Sequence, residues 1–223
     1  MGLDMYLKRM PRYGNTTPNE IYAIESYFNW KNNPDARKYT MKEWCGIPFK
    51  DVPKGNTMEF YKTYCEYGYA SWDTEQKYTG RYRIVEEVGY WRKANQIHNW
   101  FVDKVQDGED DCEYHHEVTK EILEELLDTC ETVLASCELV DGKIKNGEHM
   151  EDGNWIPIIE DGKYIKNPSI AMELLPTTSG FFFGSTDYDE YYVNDIKETI
   201  DIVTKVLETT DFEKEMVYYV SSW

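Results

Sequence analysis

The 223-residue chain carries 42 acidic and 24 basic residues, for a formal net charge of −18, with 41% apolar and 15% aromatic content. A chain of this length can bury roughly 70% of its unfolded surface, which suits one domain with its own core and argues against disorder. The charge makes duplex nucleic acid and anionic membrane poor partners at long range. Screening over about 8–10 Å still leaves room for a small anion in a local basic pocket.

In chain order, Leu3, Met5 and Leu7 alternate with Asp4, Tyr6 and Lys8, which predicts a half-buried strand ended by Pro11. Thr17 as cap and Pro18 at the first helical position open a helix to about Asn29. Thr40 caps a short helix through Met41, Trp44 and Cys45, stopped by Gly46 and Pro48. Met58 to Trp72 is crowded with aromatics and gives no clear periodicity. Its tyrosines, and the others as far as Tyr82, belong either to the core or to the interface of a homo-oligomer.

Arg81 to Gly89 reads as a strand that feeds a helix from about Trp91 to Gln106, closed by Asp107-Gly108. His116 to Cys137 is the clearest amphipathic helix. Asp141-Gly142 and Asp161-Gly162 predict small hairpin turns within a 139–168 hairpin insertion. Ser169 to Leu175 and Gly180 to Phe183 read as short strands around Pro176. A last helix spans about Tyr188 to Thr209, and Glu215 to Trp223 alternates as a strand able to pair with the N-terminal one. This order predicts a single α+β domain over 1–223, with a mixed or antiparallel sheet holding the N- and C-terminal strands and three to four packed helices.

The five cysteines include no CxxC pair, which argues against a disulfide framework and a thiolate zinc site. The opening Met1-Gly2-Leu3-Asp4 lacks the basic start and apolar run of a secretory signal. No stretch approaches 18 apolar residues, so the expected compartment is the cytoplasm.

Three clusters could carry chemistry. In the first, a helix through Trp91, Arg92, Lys93, Asn95 and His98 would present an aromatic face, cations, an amide and an imidazole. These are the groups that a nucleotide-sized ligand needs: stacking, charge neutralisation and edge hydrogen bonds. The same spacing also describes an ordinary amphipathic helix with a hydrogen-bonded core histidine.

In the second, Leu175 to Glu190, Thr186 and Asp189 resemble a capping box. Asp187, Asp189 and Glu190 occupy the positive helix end, where a phosphate would meet repulsion. The third, Asp110 to His116, lacks HxxxH or HxH spacing and reads as a solvated acidic run, so no metal ligand is assigned. GxSxG, GxxxxGK, HExxH and GxGxxG are absent, and no catalytic residue or cofactor is assigned.

The opening MGLDMYL, the central YWRKANQIHNWFV, the later LPTTSGFFFGSTDYDEYY and the closing SSW resemble an uncharacterised family of bacteriophage and bacterial proteins found near mobile elements. Residues 32–79 and 139–169 contribute little to the likeness. It implies no catalytic residue, but it does imply a setting in which small proteins counter host defence, including by holding nucleotide signals.

The reading that combines these signals is a non-enzymatic protein that sequesters a nucleotide-like or other anionic metabolite. Trp91 would stack, Arg92 or Lys93 would offset charge, and Asn95 and His98 would read polar edges. Two alternatives stand beside it. One is an enzyme using His98 as general acid–base, and the other an acidic inhibitor of protein interactions.

Overall fold

The computed structural model describes residues 2–68, 80–112, 115–180 and 183–223. Its strands are β1 (Asp4–Pro11), β2 (Glu66–Gly68), β3 (Arg81–Arg83), β4 (Glu86–Arg92), β5 (His116–Val118), β6 (Leu139–Glu151), β7 (Asn154–Ile165) and β8 (Glu215–Ser222). Its helices are α1 (Pro18–Asn32), α2 (Met41–Cys45), α3 (Asn56–Lys62), α4 (Asn95–Val105), α5 (Lys120–Ser136), α6 (Ser169–Leu174) and α7 (Glu190–Thr209). The fold is α+β. A four-stranded sheet runs β4-β1-β8-β5, so the N- and C-terminal strands are neighbours at its centre, and β2-β3 and β6-β7 form antiparallel pairs.

Two compact units divide the chain, and β1 and β8 each run from one into the other. The first comprises Met1–Leu7, Val88–Thr210 and Tyr219–Trp223. Its core gathers Leu3, Met5, Trp91, Ile97, Phe101, Leu123, Leu126, Cys130, Ile196, Val203 and Tyr219, all fully or nearly fully buried. Phe101 stacks on Tyr219 with ring centroids 4.3 Å apart. Helix α7 approaches β4 closely at Gly89, where any side chain would strike Ile202. One turn away, the Trp91 indole N–H donates to Thr199 Oγ1 at 2.9 Å.

The second unit comprises Lys8–Glu87 and Asp211–Tyr218. Here α1 supplies side chains in place of a strand partner. Asn29 Oδ1 accepts from the Tyr82 N–H at 2.7 Å, and its Nδ2 donates to the Tyr82 carbonyl at 2.9 Å. Glu25 Oε2 accepts from the N–H groups of Ile84 and Val85. Burial pushes the Glu25 carboxyl up, against those two backbone donors and the charges of Arg83 and Lys8.

The helix starts at Thr17 and Thr40 are capping boxes, each threonine paired with a glutamate three residues on (Glu20 and Glu43), and Gly46 closes α2 at φ 76°. Other boundaries differ from expectation. The predicted helix from Trp91 begins only at Asn95, because Trp91 and Arg92 finish strand β4 and Lys93 turns the chain at φ 63°. The predicted strand over Arg81 to Gly89 is broken into β3 and β4, since the backbone at 84–85 bonds to Glu25 instead. His116 to Val118 are strand, and α5 starts after its cap Thr119.

Ser169–Leu174 is helix rather than strand, and Asp189 rather than Thr186 caps the last helix. Phe183 N–H donates to the Gly180 carbonyl at 3.2 Å, at the ends of the segment expected as a strand. Phe181 and Phe182 lie outside the described residues, as does the 69–79 part of the aromatic segment.

The 139–168 region forms one long hairpin rather than small ones. Gly142 and Gly162 face each other across the ladder, where they leave room for the side chains of Tyr164 and Ile144. The turn is a third Asp-Gly pair, Asp152-Gly153, with φ 50° and 81°. Positive φ at both central residues marks the type I′ turn that matches strand twist.

All five cysteines are free, and Cys130 is buried with its thiol pushed up to about 12 by burial. No helix among the described residues is long and apolar enough to cross a membrane.

Burial sorts the tryptophans. Trp91 is 1% exposed in the core, whereas Trp155 on β7 is 62% exposed. Trp91→Ala is expected to lower unfolding free energy by about 3–5 kcal/mol, and Trp155→Ala to change it by no more than about 0.5 kcal/mol. Denaturant titration checks this, and equal effects would contradict the placement of Trp91.

Candidate functional site

The junction of β4 and α4 builds the site. Lys93 occupies the left-handed region, uncommon for a residue with a side chain, and such strain persists only where its surroundings hold it. Its N–H donates to the Leu3 carbonyl at 2.8 Å, and its carbonyl accepts from the Asn95 N–H at 2.9 Å. Gly184, at φ 95°, lies against it. A Cβ there would stand 3.0 Å from Lys93 Cβ and 3.1 Å from the Lys93 carbonyl oxygen.

Two buried amides then draw neighbouring elements to this turn. Asn95 Nδ2 donates to the carbonyls of Phe183 and Ser185 at 3.1 and 2.8 Å, and its Oδ1 accepts from the Thr178 N–H at 2.9 Å. Gln96 Nε2 donates to Asp195 Oδ2 on α7 at 3.0 Å. Asn95 thereby holds the loop carrying Gly184 and Ser185, and Gln96 holds α7.

Between these elements and β6 lies a polar cavity of about 460 Å³. Arg92, Lys93 and Lys145 bring cations to it, and Glu148, Asp187, Asp189 and Asp195 bring carboxylates. Lys145 and Glu148 flank a bulge in the β6-β7 ladder that contains Asn146-Gly147, with Gly147 at φ 89°. A bulge re-aims the strand's side chains, and here it sits at the cavity's edge.

Asp189, the N-cap of α7, and Tyr192 and Asp195 in its first two turns all line the cavity. Asp189 Oδ1 caps the helix through the N–H groups of Tyr191 and Tyr192. Its Oδ2 is buried without a hydrogen-bond partner among the described residues, although the residue is only 2% exposed. A buried acceptor left without a donor costs about 1–3 kcal/mol, more for a charged one. Burial raises the Asp189 carboxyl against the pull of those two N–H groups. Burial also pushes Asp195 up to about 6, against its Gln96 hydrogen bond, with Glu198 and Asp189 adding to the rise.

The five sequence-predicted residues do not form one stripe. Arg92 and Lys93 are exposed and line the cavity. Trp91 points into the core, with its indole N–H on Thr199, and offers no face for stacking. Asn95 spends its amide on the neighbouring loop. His98 is 1% exposed and outside the cavity lining. Its Nδ1 is 2.7 Å from the Tyr219 hydroxyl, and its Nε2 approaches Asp110 Oδ2 at 3.1 Å without hydrogen-bond alignment.

Lys145 and Asp195 escaped the sequence reading, Gln96 was not assigned to the site, and Asp189 entered it only as a helix-capping acid. Asn146-Gly147 inside a strand was a signal for the bulge, and Asp195 beside the apolar stripe of α7 was a signal for a buried acid.

Asp195 carries a pH prediction. Its folded value near 6 lies above the roughly 3.9 of an unfolded aspartate, so the native state binds more protons between the two. Its contribution to stability therefore falls as pH rises from about 4 to about 6, and Asn, which cannot ionise, removes that loss. The melting temperature of Asp195→Asn minus that of wild type is expected to rise across this window and level off above it. A difference that stays flat with pH would contradict the half-buried, raised carboxyl.

Comparison with known proteins finds no matching family profile, no matching curated protein and no matching solved structure.

Proposed function

We propose that the chain binds a small anionic, nucleotide-sized metabolite in the cavity beside the β4–α4 junction, and that it holds the molecule rather than transforming it. The observation that carries this reading is the convergence of Arg92, Lys93 and Lys145 on one cavity of about 460 Å³ in a chain of net charge −18. That volume is within the range of small-molecule sites. Arg92 supplies a planar fork for a phosphate or carboxylate, and the lysines supply point charges. The strained turn at Lys93 and its close contact with Gly184 fit a residue held in place for a task. In the phage or mobile-element setting that the sequence resemblance implies, holding a nucleotide signal would blunt a host defence.

An enzymatic reading has one observation in its favour. Asp195, near 6 beside a cavity, has the affinity for protons that general acid–base chemistry uses. In that reading the acid–base is Asp195 rather than His98, whose ring nitrogens face Tyr219 and Asp110.

The test is dialysis of the purified protein against a small-molecule extract of bacterial cells, followed by mass spectrometry of what is retained. Wild type is expected to retain anionic compounds. Arg92→Ala and Lys93→Ala should each weaken retention about 10–100-fold, the loss of one charge-assisted hydrogen bond of about 1.5–3 kcal/mol. Lys166→Ala, which makes the same change of charge at an exposed ion pair with Glu138, should bind as wild type does. Equal retention by the wild type, Arg92→Ala and Lys93→Ala would overturn the assignment. A new product appearing over time would favour the enzyme.

A further inference from the structure

The cations explain only one side of the cavity. The other side holds two carboxylates, buried Asp189 at the N-cap of α7 and half-buried Asp195 within it, and each lacks a partner that an acid removed from water ordinarily has. Asp189 is 2% exposed, and its Oδ2 meets no donor among the described residues. Asp195 receives one side-chain hydrogen bond, from Gln96, and no cation pairs with it among the described residues. Lys145 pairs instead with Glu148 at 2.6 Å.

Native structures rarely leave a buried carboxylate oxygen without a donor, and where they do, a ligand group or a water fills the role. A ligand that was only an anion would leave these acids unmatched and would be repelled by them. A ligand with an N–H group would supply the missing donor.

Resting on the anion-holding reading above, we propose that the cavity selects an aminated anion. Its phosphate or carboxylate meets Arg92, Lys93 and Lys145, and an N–H group of the same molecule donates to Asp189 and Asp195. The N–H group can be an alkylammonium or the amino group of a nucleobase, since each presents the donor these oxygens lack. Selection then follows from the acids as much as from the cations. A site built to hydrogen-bond a donor rejects an analogue without it, because the buried acceptors stay unpaired.

Two pairs of compounds that differ only in an amino group test this by calorimetric titration of the full chain. One pair is adenosine 5′-monophosphate and purine riboside 5′-monophosphate; the other is 2-aminoethyl phosphate and ethyl phosphate. In at least one pair the aminated member is expected to bind wild type tenfold or more tightly than its partner. Which pair shows the preference identifies the donor as a base amino group or an ammonium.

In Asp195→Asn that preference should fall below threefold, because the non-aminated member gains affinity once a repelling carboxylate is gone. Asp189→Asn, which keeps a side-chain oxygen able to cap α7, gives a second variant in case the first is poorly folded. Equal binding of both members in both pairs, weakened together by Arg92→Ala, would overturn this inference and leave the anion-holding reading intact. A preference that survives both aspartate variants would also overturn it. No binding of any of the four compounds, or of inorganic phosphate, would overturn both.

Discussion

The amide of Asn95 is the constraint on which the candidate site depends. It is 1% exposed and makes three hydrogen bonds, all to the backbone of the segment between Thr178 and Ser185. A buried amide must satisfy its donors and acceptor, and here it does so by fixing the backbone at Thr178, Phe183 and Ser185. That loop presents Gly184 to Lys93, and the absence of a Cβ at Gly184 lets the two backbones approach. Gln96, the next residue, extends the same logic to α7 through Asp195. Two consecutive amides at the start of one helix thus set three walls of the cavity, while a bulge in β6 brings the fourth.

Charge gives the cavity its character. The chain's many acids mostly lie on exposed helix faces and turns, where water screens them. Asp189 and Asp195 differ because burial has stripped that screening away, and both carboxyls are raised as a result. Of the cations nearby, Arg92 and Lys93 are exposed, and half-buried Lys145 pairs with Glu148. An arriving anion would therefore meet the exposed Arg92 and Lys93 before the less accessible acids. Such an order favours discrimination by the acids, since a mismatched ligand must desolvate them without compensation.

Much of the fold was legible because its signals are local. Thr17 with Glu20 and Thr40 with Glu43 announce their helices through reciprocal caps within four residues. The alternation of β1 shows in its own side chains, whereas β8, its neighbour in the sheet, is buried on both faces from Met216 to Tyr219. What escaped depends on partners far away in the chain. Nothing near Trp91 reveals that Lys93 leaves the helical region, because the turn is held by Leu3 and Gly184. The Asp-Gly pairs at 141 and 161 carry the composition of a turn, yet their glycines serve as space for Ile144 and Tyr164. Asp195 was hidden among 42 acids, since only burial distinguishes it.

The proposed site can be tested with the smallest suitable anion. Titration of 15N-labelled protein with inorganic phosphate, followed through backbone amide shifts, reports where the smallest suitable anion settles. Saturable shifts confined to Lys93, Gln96, Gly147, Gly184 and Ser185 are the expected result. Shifts that never saturate, or that spread over the exposed lysines without favouring these amides, would contradict a built anion site at the β4–α4 junction.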